Sequence, residues 1–139
     1  MTVVIDASVA VKWVVPEPGT PAALALRRQR LFAPDLLIPE CANVLWKKVR
    51  RKELTESEAL LAAKLIERAD VQLERMRPLL EPATRLAVAL DHPAYDCIYL
   101  ALAEAMGAAF VTADVTLYRK VSLTGLADRI RLLDPATPA

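Results

Sequence analysis

Residues 95–114 read Tyr-Asp-Cys-Ile-Tyr-Leu-Ala-Leu-Ala-Glu-Ala-Met-Gly-Ala-Ala-Phe-Val-Thr-Ala-Asp. The first part, Tyr95 to Met106, is the most helical stretch of the chain. Gly107 supplies its C-terminal stop, because glycine enters the left-handed conformation that ends helices. Ala109 to Thr112 then changes to a short apolar run of strand type. A helix, a glycine stop and a buried strand in succession are one unit of an alternating α/β fold.

The same alternation extends in both directions. Thr2 to Ile5 is apolar without a polar alternate, the pattern of a strand buried on both faces. A helix is predicted over 7–15, broken by Pro16, Pro18, Gly19 and Pro21. A second helix over 22–30 ends in Arg27, Arg28 and Arg30, and 31–33 is a short strand closed by Pro34. Pro39 stands where a first helical residue is tolerated, with Glu40 in the favourable first turn, and this helix runs to about Lys52. Thr55 and Glu58 form a capping box opening a helix through Ala69. Residues 71–76 alternate as a strand, 79–90 are helical, 116–122 form a short helix and 130–133 a last strand. Strands separated by helices predict an α/β/α sandwich around a parallel sheet, with residues 1–139 as a single domain.

Composition narrows the chemistry. The chain has 139 residues, 55% of them hydrophobic, which excludes a disordered protein. No run approaches the roughly 18 uncharged residues of a membrane span. Eighteen basic residues against 17 acidic ones give a formal charge of +1, so bulk charge does not bind nucleic acid here. His92 is the one histidine and Cys41 and Cys97 the two cysteines, which removes most zinc sites and any disulfide framework. Three glycines cannot write either phosphate-binding loop. Met1 leads directly into the first strand, so no leader segment is expected and a cytoplasmic protein follows.

The remaining equipment is carboxylate. Ligands of parallel sheets bind beyond the C-terminal strand ends. Asp6 follows the first strand, Glu40 opens the helix after the second, Asp96 opens the long helix, and Asp114 stands just past the fourth strand. Helix-capping preference alone accounts for an acid at any one of these places. Four together, each set among apolar neighbours and without an adjacent base, need a partner. Hard oxygen donors point to Mg²⁺ or Mn²⁺ rather than zinc.

These residues bring a resemblance into view. Val-Val-Ile-Asp-Ala-Ser-Val at 3–9, Pro-Glu-Cys-Ala-Asn-Val-Leu at 39–45, the run at 95–103 and Phe-Val-Thr-Ala-Asp at 110–114 resemble the PIN-domain ribonucleases, in particular the VapC toxins of toxin–antitoxin pairs. The resemblance implies a five-stranded parallel sheet in order 3-2-1-4-5 and four acids, Asp6, Glu40, Asp96 and Asp114, around one or two Mg²⁺ or Mn²⁺ ions. It also implies that Ser8 and Thr112 assist, and that a metal-activated water hydrolyses RNA to a 5′-phosphate and a 3′-hydroxyl. The implied partners are RNA, a cognate antitoxin protein and a second copy in a homodimer, with no membrane.

Rival assignments are weaker. A haloacid-dehalogenase site wants Asp-x-Asp, and here Asp6-Ala7-Ser8 stands instead. A response-regulator receiver wants paired acids after the first strand. The serious alternative is a PIN-like interaction module without catalysis.

Other features have two readings each. Lys47, Lys48, Arg50, Arg51 and Lys52 form either an RNA-backbone contact or a solvated helix end. Lys12 and Lys47 are further candidates for the scissile phosphate, and Asn43 for an amide behind Glu40. Cys41 and Cys97 read as buried apolar residues, and Trp13, Trp46, Tyr95 and Tyr99 as core. His92 and Asp91 read as surface loop. Leu24, Leu26, Leu60 and Leu61 either fill the core or line a groove for an antitoxin helix.

Overall fold

The computed structural model describes residues 1–134. Five strands form one sheet: β1 (Thr2–Ile5), β2 (Arg30–Pro34), β3 (Gln72–Glu74), β4 (Ala109–Thr112) and β5 (Ile130–Leu132). All pairings are parallel and the order is β3-β2-β1-β4-β5. Val3, Val4 and Ile5 are buried in succession, as are Phe110, Val111 and Thr112. Successive strand side chains point to opposite faces, so both faces of the central strands are covered and the fold has three layers, as the apolar runs predict.

The helices are α1 (Ala7–Ala10), α2 (Thr20–Leu26), α3 (Leu37–Arg50), α4 (Glu56–Glu67), α5 (Leu80–Leu90), α6 (Ala94–Met106) and α7 (Val115–Ser122). Helix α6 packs on β1, β2 and β4. It buries Cys97 and every residue from Tyr99 to Ala103, which is why its sequence is apolar almost all round. The Tyr99 ring stacks on Phe110 of β4, with centroids 5.6 Å apart. Gly107 closes the helix at φ 63°. Thr55 caps α4 with the full reciprocal box, its side chain accepting from Glu58 and Glu58 accepting from the Thr55 backbone.

Several boundaries differ from the sequence expectation. The helix predicted over 7–15 is α only to Ala10 and continues as a tight 3₁₀ turn, Val11–Trp13. Pro16 disfavours helical geometry at Val15, and β-branched Val14 and Val15 add to that. The helix predicted to include Arg30 ends at Leu26, because Arg30 pairs with Thr2 and its N–H donates to the Met1 carbonyl at 3.0 Å. Helix α3 starts at Leu37, two residues before Pro39, which remains in the first turn where a missing N–H costs nothing. Strand β3 is three residues long at the sheet edge rather than the six that alternate, in keeping with the short edge strands that proteins favour.

Candidate active site

In the order β3-β2-β1-β4-β5 the chain builds outward from β1 through β2 to β3 on one side, then crosses back to β4 and β5 on the other. The crevice between β1 and β4 is therefore the switch point at which such sheets bind ligands. Val3, Val4 and Ile5 pair with Ala109, Phe110 and Val111. The residues that follow, Asp6 and Thr112, meet at the C-terminal end, where Thr112 Oγ1 donates to Asp6 Oδ2 at 2.6 Å. Asp6 also caps α1: its Oδ1 accepts from the Val9 N–H at 3.3 Å and from Ser8 Oγ.

Ser8 and Thr112 join the two turns in the other direction as well. Ser8 Oγ accepts from the Ala113 N–H at 3.0 Å, and Thr112 Oγ1 accepts from the Asp114 N–H at 3.1 Å. Asp114 in turn caps α7 by accepting from the Leu117 N–H at 3.1 Å. Glu40 lies in the first turn of α3, where Tyr99 of α6 donates its phenol proton to Oε1 at 2.6 Å. Asp96 lies in the first turn of α6, with its Oδ2 2.6 Å from His92 Nε2.

All four predicted acids line one cleft of about 560 Å³ together with Ser8, Asn43, Lys47 and Tyr95. Leu36, Pro39 and Val44 supply apolar wall. Thr112 lies beneath, fully buried. Burial pushes the Asp6 carboxyl up to about 6. Repulsion from Asp96 adds to this, while the Ser8, Thr112 and Val9 hydrogen bonds oppose it. Burial raises Glu40 as well, again opposed by its hydrogen bond from Tyr99 and reinforced by Asp96. Among the described residues no three His, Cys, Asp or Glu groups converge on a single point that would hold an ion. The carboxylates share a wall, and Glu40 and Asp96 each direct one oxygen to a neighbouring side chain.

Some assignments need correction. His92, read as surface, has a side chain only 9% exposed and grips Asp96. The i, i+4 spacing of His92 and Asp96 was the available signal, but it straddles the helix boundary at Pro93. Trp46 and Tyr95, read as core, are 54% and 66% exposed. Trp46 carries the Arg50 guanidinium 5.4 Å from its ring centre, and Tyr95 borders the cleft. Trp13 and Tyr99 are core as read, although Tyr99 also reaches Glu40. Leu24, Leu60 and Leu61 are exposed rather than packed inside. Lys12 is held by Glu17 at 3.1 Å and is absent from the cleft lining, whereas Lys47 is part of it. Both cysteines are buried, and burial pushes Cys41 up to about 12 and Cys97 to about 11, so neither is a reactive thiolate.

The PIN domain family matches residues 3–122. The chain belongs to the PIN-domain family. It is 33% identical over 127 residues to Ribonuclease VapC3 of Pyrobaculum aerophilum, covering 86% of this chain and 95% of that one. The crystal structure of PAE2754 from the same organism superposes with a TM-score of 0.71 at 25% identity, over 96% of this chain and 90% of that one. Mycobacterium tuberculosis VapC20, described as a sarcin-ricin loop cleaving toxin, shares the fold with a TM-score of 0.60 at 17% identity, over 79% of this chain and 86% of that one. This PIN-domain chain is thus a homologue of a VapC ribonuclease, and its switch-point cleft lies where Asp6, Glu40, Asp96 and Asp114 come together.

Proposed function

We propose that this PIN-domain protein is the toxin of a toxin–antitoxin pair and hydrolyses RNA phosphodiesters with Mg²⁺ or Mn²⁺. The observation that carries the reading is the gathering of Asp6, Glu40, Asp96 and Asp114 on one cleft at the switch point of the sheet. Burial, with repulsion from Asp96 added, raises the Asp6 and Glu40 carboxyls, and a divalent cation is the partner that would offset both. The donor set fits such a cation: four oxygen ligands from four elements and no thiolate or imidazole required. Rotation of the Glu40 and Asp96 side chains away from Tyr99 and His92 would let the acids of the shared wall hold one ion. When bound, the ion would lower the pKa of a water and neutralise charge developing on the phosphate.

The protein's own residues have separable parts in this. Asp6 is the anchor: Ser8 and Val9 donate to Oδ1 and Thr112 to Oδ2, so Oδ2 retains a lone pair for a ligand. Asp96 and Glu40 complete the ligand set, and Asp114 joins directly or through water. Thr112 and Ser8 hold Asp6 and the Asp114 turn in register. Lys47 meets the phosphate backbone at the cleft mouth. The VapC-type reading brings a cognate antitoxin, a homodimer and a cytoplasmic location with it. Leu24 of α2 and Leu60 and Leu61 of α4 are the apolar side chains offered to the antitoxin helix.

The spread of the carboxylates favours one other reading, a PIN-like module that binds partners without catalysis. One assay separates the two. Protein freed of partner should cleave RNA with Mg²⁺ or Mn²⁺, lose the activity in EDTA, and lose it in Asp6→Asn and Asp96→Asn. Cleavage that survives EDTA or either substitution rejects the metal-dependent site, and no cleavage under any condition leaves the module.

A further inference from the structure

His92 is the only histidine of the chain, and it is tied on both sides of its ring. Its Nε2 lies 2.6 Å from Asp96 Oδ2 and its Nδ1 lies 3.4 Å from Lys120 Nζ. Lys120 Nζ also donates to the Asp91 carbonyl at 2.9 Å. Asp91 ends α5 in the left-handed conformation at φ 49°, and the His92 N–H donates to the Ala87 carbonyl at 3.1 Å. The ring therefore sits on a backbone hook held from two helices.

The chemistry of these groups orders the protons. An ammonium has donors and no acceptor, so the ring nitrogen facing Lys120 must accept. In a neutral imidazole that leaves the proton on Nε2, directed at Asp96. Helix α7 thus carries Asp114 at its first end and Lys120 in its last turn. Through His92 the second of these reaches another acid of the same cleft.

We propose that Lys120 and His92 form a positioning pair that sets the tautomer of His92 and, through it, the orientation in which Asp96 presents its remaining lone pairs to the cation. The inference rests on the metal-dependent reading above. His92 contacts neither substrate nor ion in it; it acts through Asp96, as partners behind metal ligands commonly do.

Two measurements test the pair. The first is Mn²⁺ affinity of the otherwise intact protein by titration calorimetry, with melting curves to confirm folding. His92→Ala should weaken binding about tenfold, the low end for loss of a group behind a ligand. His92→Gln keeps a donor near the Nε2 position and should recover most of the loss. Lys120→Met should weaken binding in the wild-type background and have no further effect in His92→Gln, where no Nδ1 acceptor exists. The second measurement needs no metal: the ring ¹⁵N spectrum of the one histidine, in alkaline buffer with EDTA. It should show the Nε2–H tautomer in the wild type and a mixture in Lys120→Met.

Wild-type Mn²⁺ affinity in His92→Ala, with binding lost in Asp96→Asn, overturns the proposal while leaving the metal site intact. An Nδ1–H tautomer in the wild type overturns it too. If the wild type binds no Mn²⁺, the metal-dependent reading has failed and takes the Asp96–cation step with it, and the ¹⁵N spectrum still decides the Lys120–His92 contact.

Discussion

Burial is the largest influence on Asp6, and it gives this residue a measurable pH dependence. The side chain is 6% exposed and its carboxyl moves from 3.8 to about 6. A group whose folded pKa is raised favours the fold while protonated. Its contribution is complete below the ordinary pKa of about 4 and disappears as pH rises through 6. At about 1.4 kcal/mol per pKa unit, ionising Asp6 costs the metal-free fold on the order of 3 kcal/mol. In EDTA, the stability of the wild type relative to Asp6→Asn should therefore fall by roughly 3 kcal/mol between about pH 4 and pH 7, measured by urea unfolding. A difference that does not change with pH would show that Asp6 is not destabilised by ionisation. The Asp6–Ser8 pair was legible in the sequence because its reason is local: an acid ends a buried strand and Ser8 follows two residues later. His92 was not legible. Its role depends on Lys120, 28 residues away, and on a backbone hook at Asp91 that no periodicity announces.

Elements were read best where one residue type has one conformational consequence. Gly107 is the clearest case. It stands at φ 63°, and a Cβ built there would meet nothing within 4 Å. Gly107→Ala should thus cost only the backbone strain of the left-handed region, about 1 kcal/mol, read as a lower urea midpoint with unchanged slope. A much larger loss would mean that α6 and β4 depend on close packing at this corner. Elements were misread where tertiary pairing outweighs local preference. Arg30 follows a helical pattern, yet its N–H donates to the Met1 carbonyl, just ahead of the adjacent strand. Residues 71–76 alternate over their whole length, but only Gln72–Glu74 have β2 to pair with. The exposed Trp46 and Tyr95 are the same kind of miss. Helical spacing places them on a face, and only the neighbouring elements decide whether that face is covered.

At the scale of the whole molecule, a formal charge of +1 conceals a separation. Four acids line the cleft, and three of the five cations in the run 47–52 have separate settings. Lys48 reaches back to Glu17 at 2.7 Å, which also holds Lys12, and Arg50 lies over Trp46. Lys47 faces the cleft. The two lysines should consequently behave differently toward single-stranded RNA bound in EDTA, where cleavage is blocked. Lys47→Ala should reduce the slope of log affinity against log salt by about 0.7, the value for one phosphate contact on a single strand. Lys48→Ala should leave the slope unchanged and lower the melting temperature. Equal slopes for both variants would return the run to a solvated helix end. Among the described residues no helix is long and apolar enough to cross a membrane, in line with the charge distribution along the chain. By itself the sequence determined the alternation of strands and helices and the acids at their junctions, since apolar runs, capping residues and glycine stops act over a few residues. Only the tertiary structure decided which side chains meet. Parallel pairing of β1 with β4 sets Thr112 against Asp6, and the packing of α6 carries Tyr99 to Glu40. Those contacts join residues 106 and 59 positions apart, and contacts at such separation follow from sheet order and helix packing, not from local sequence.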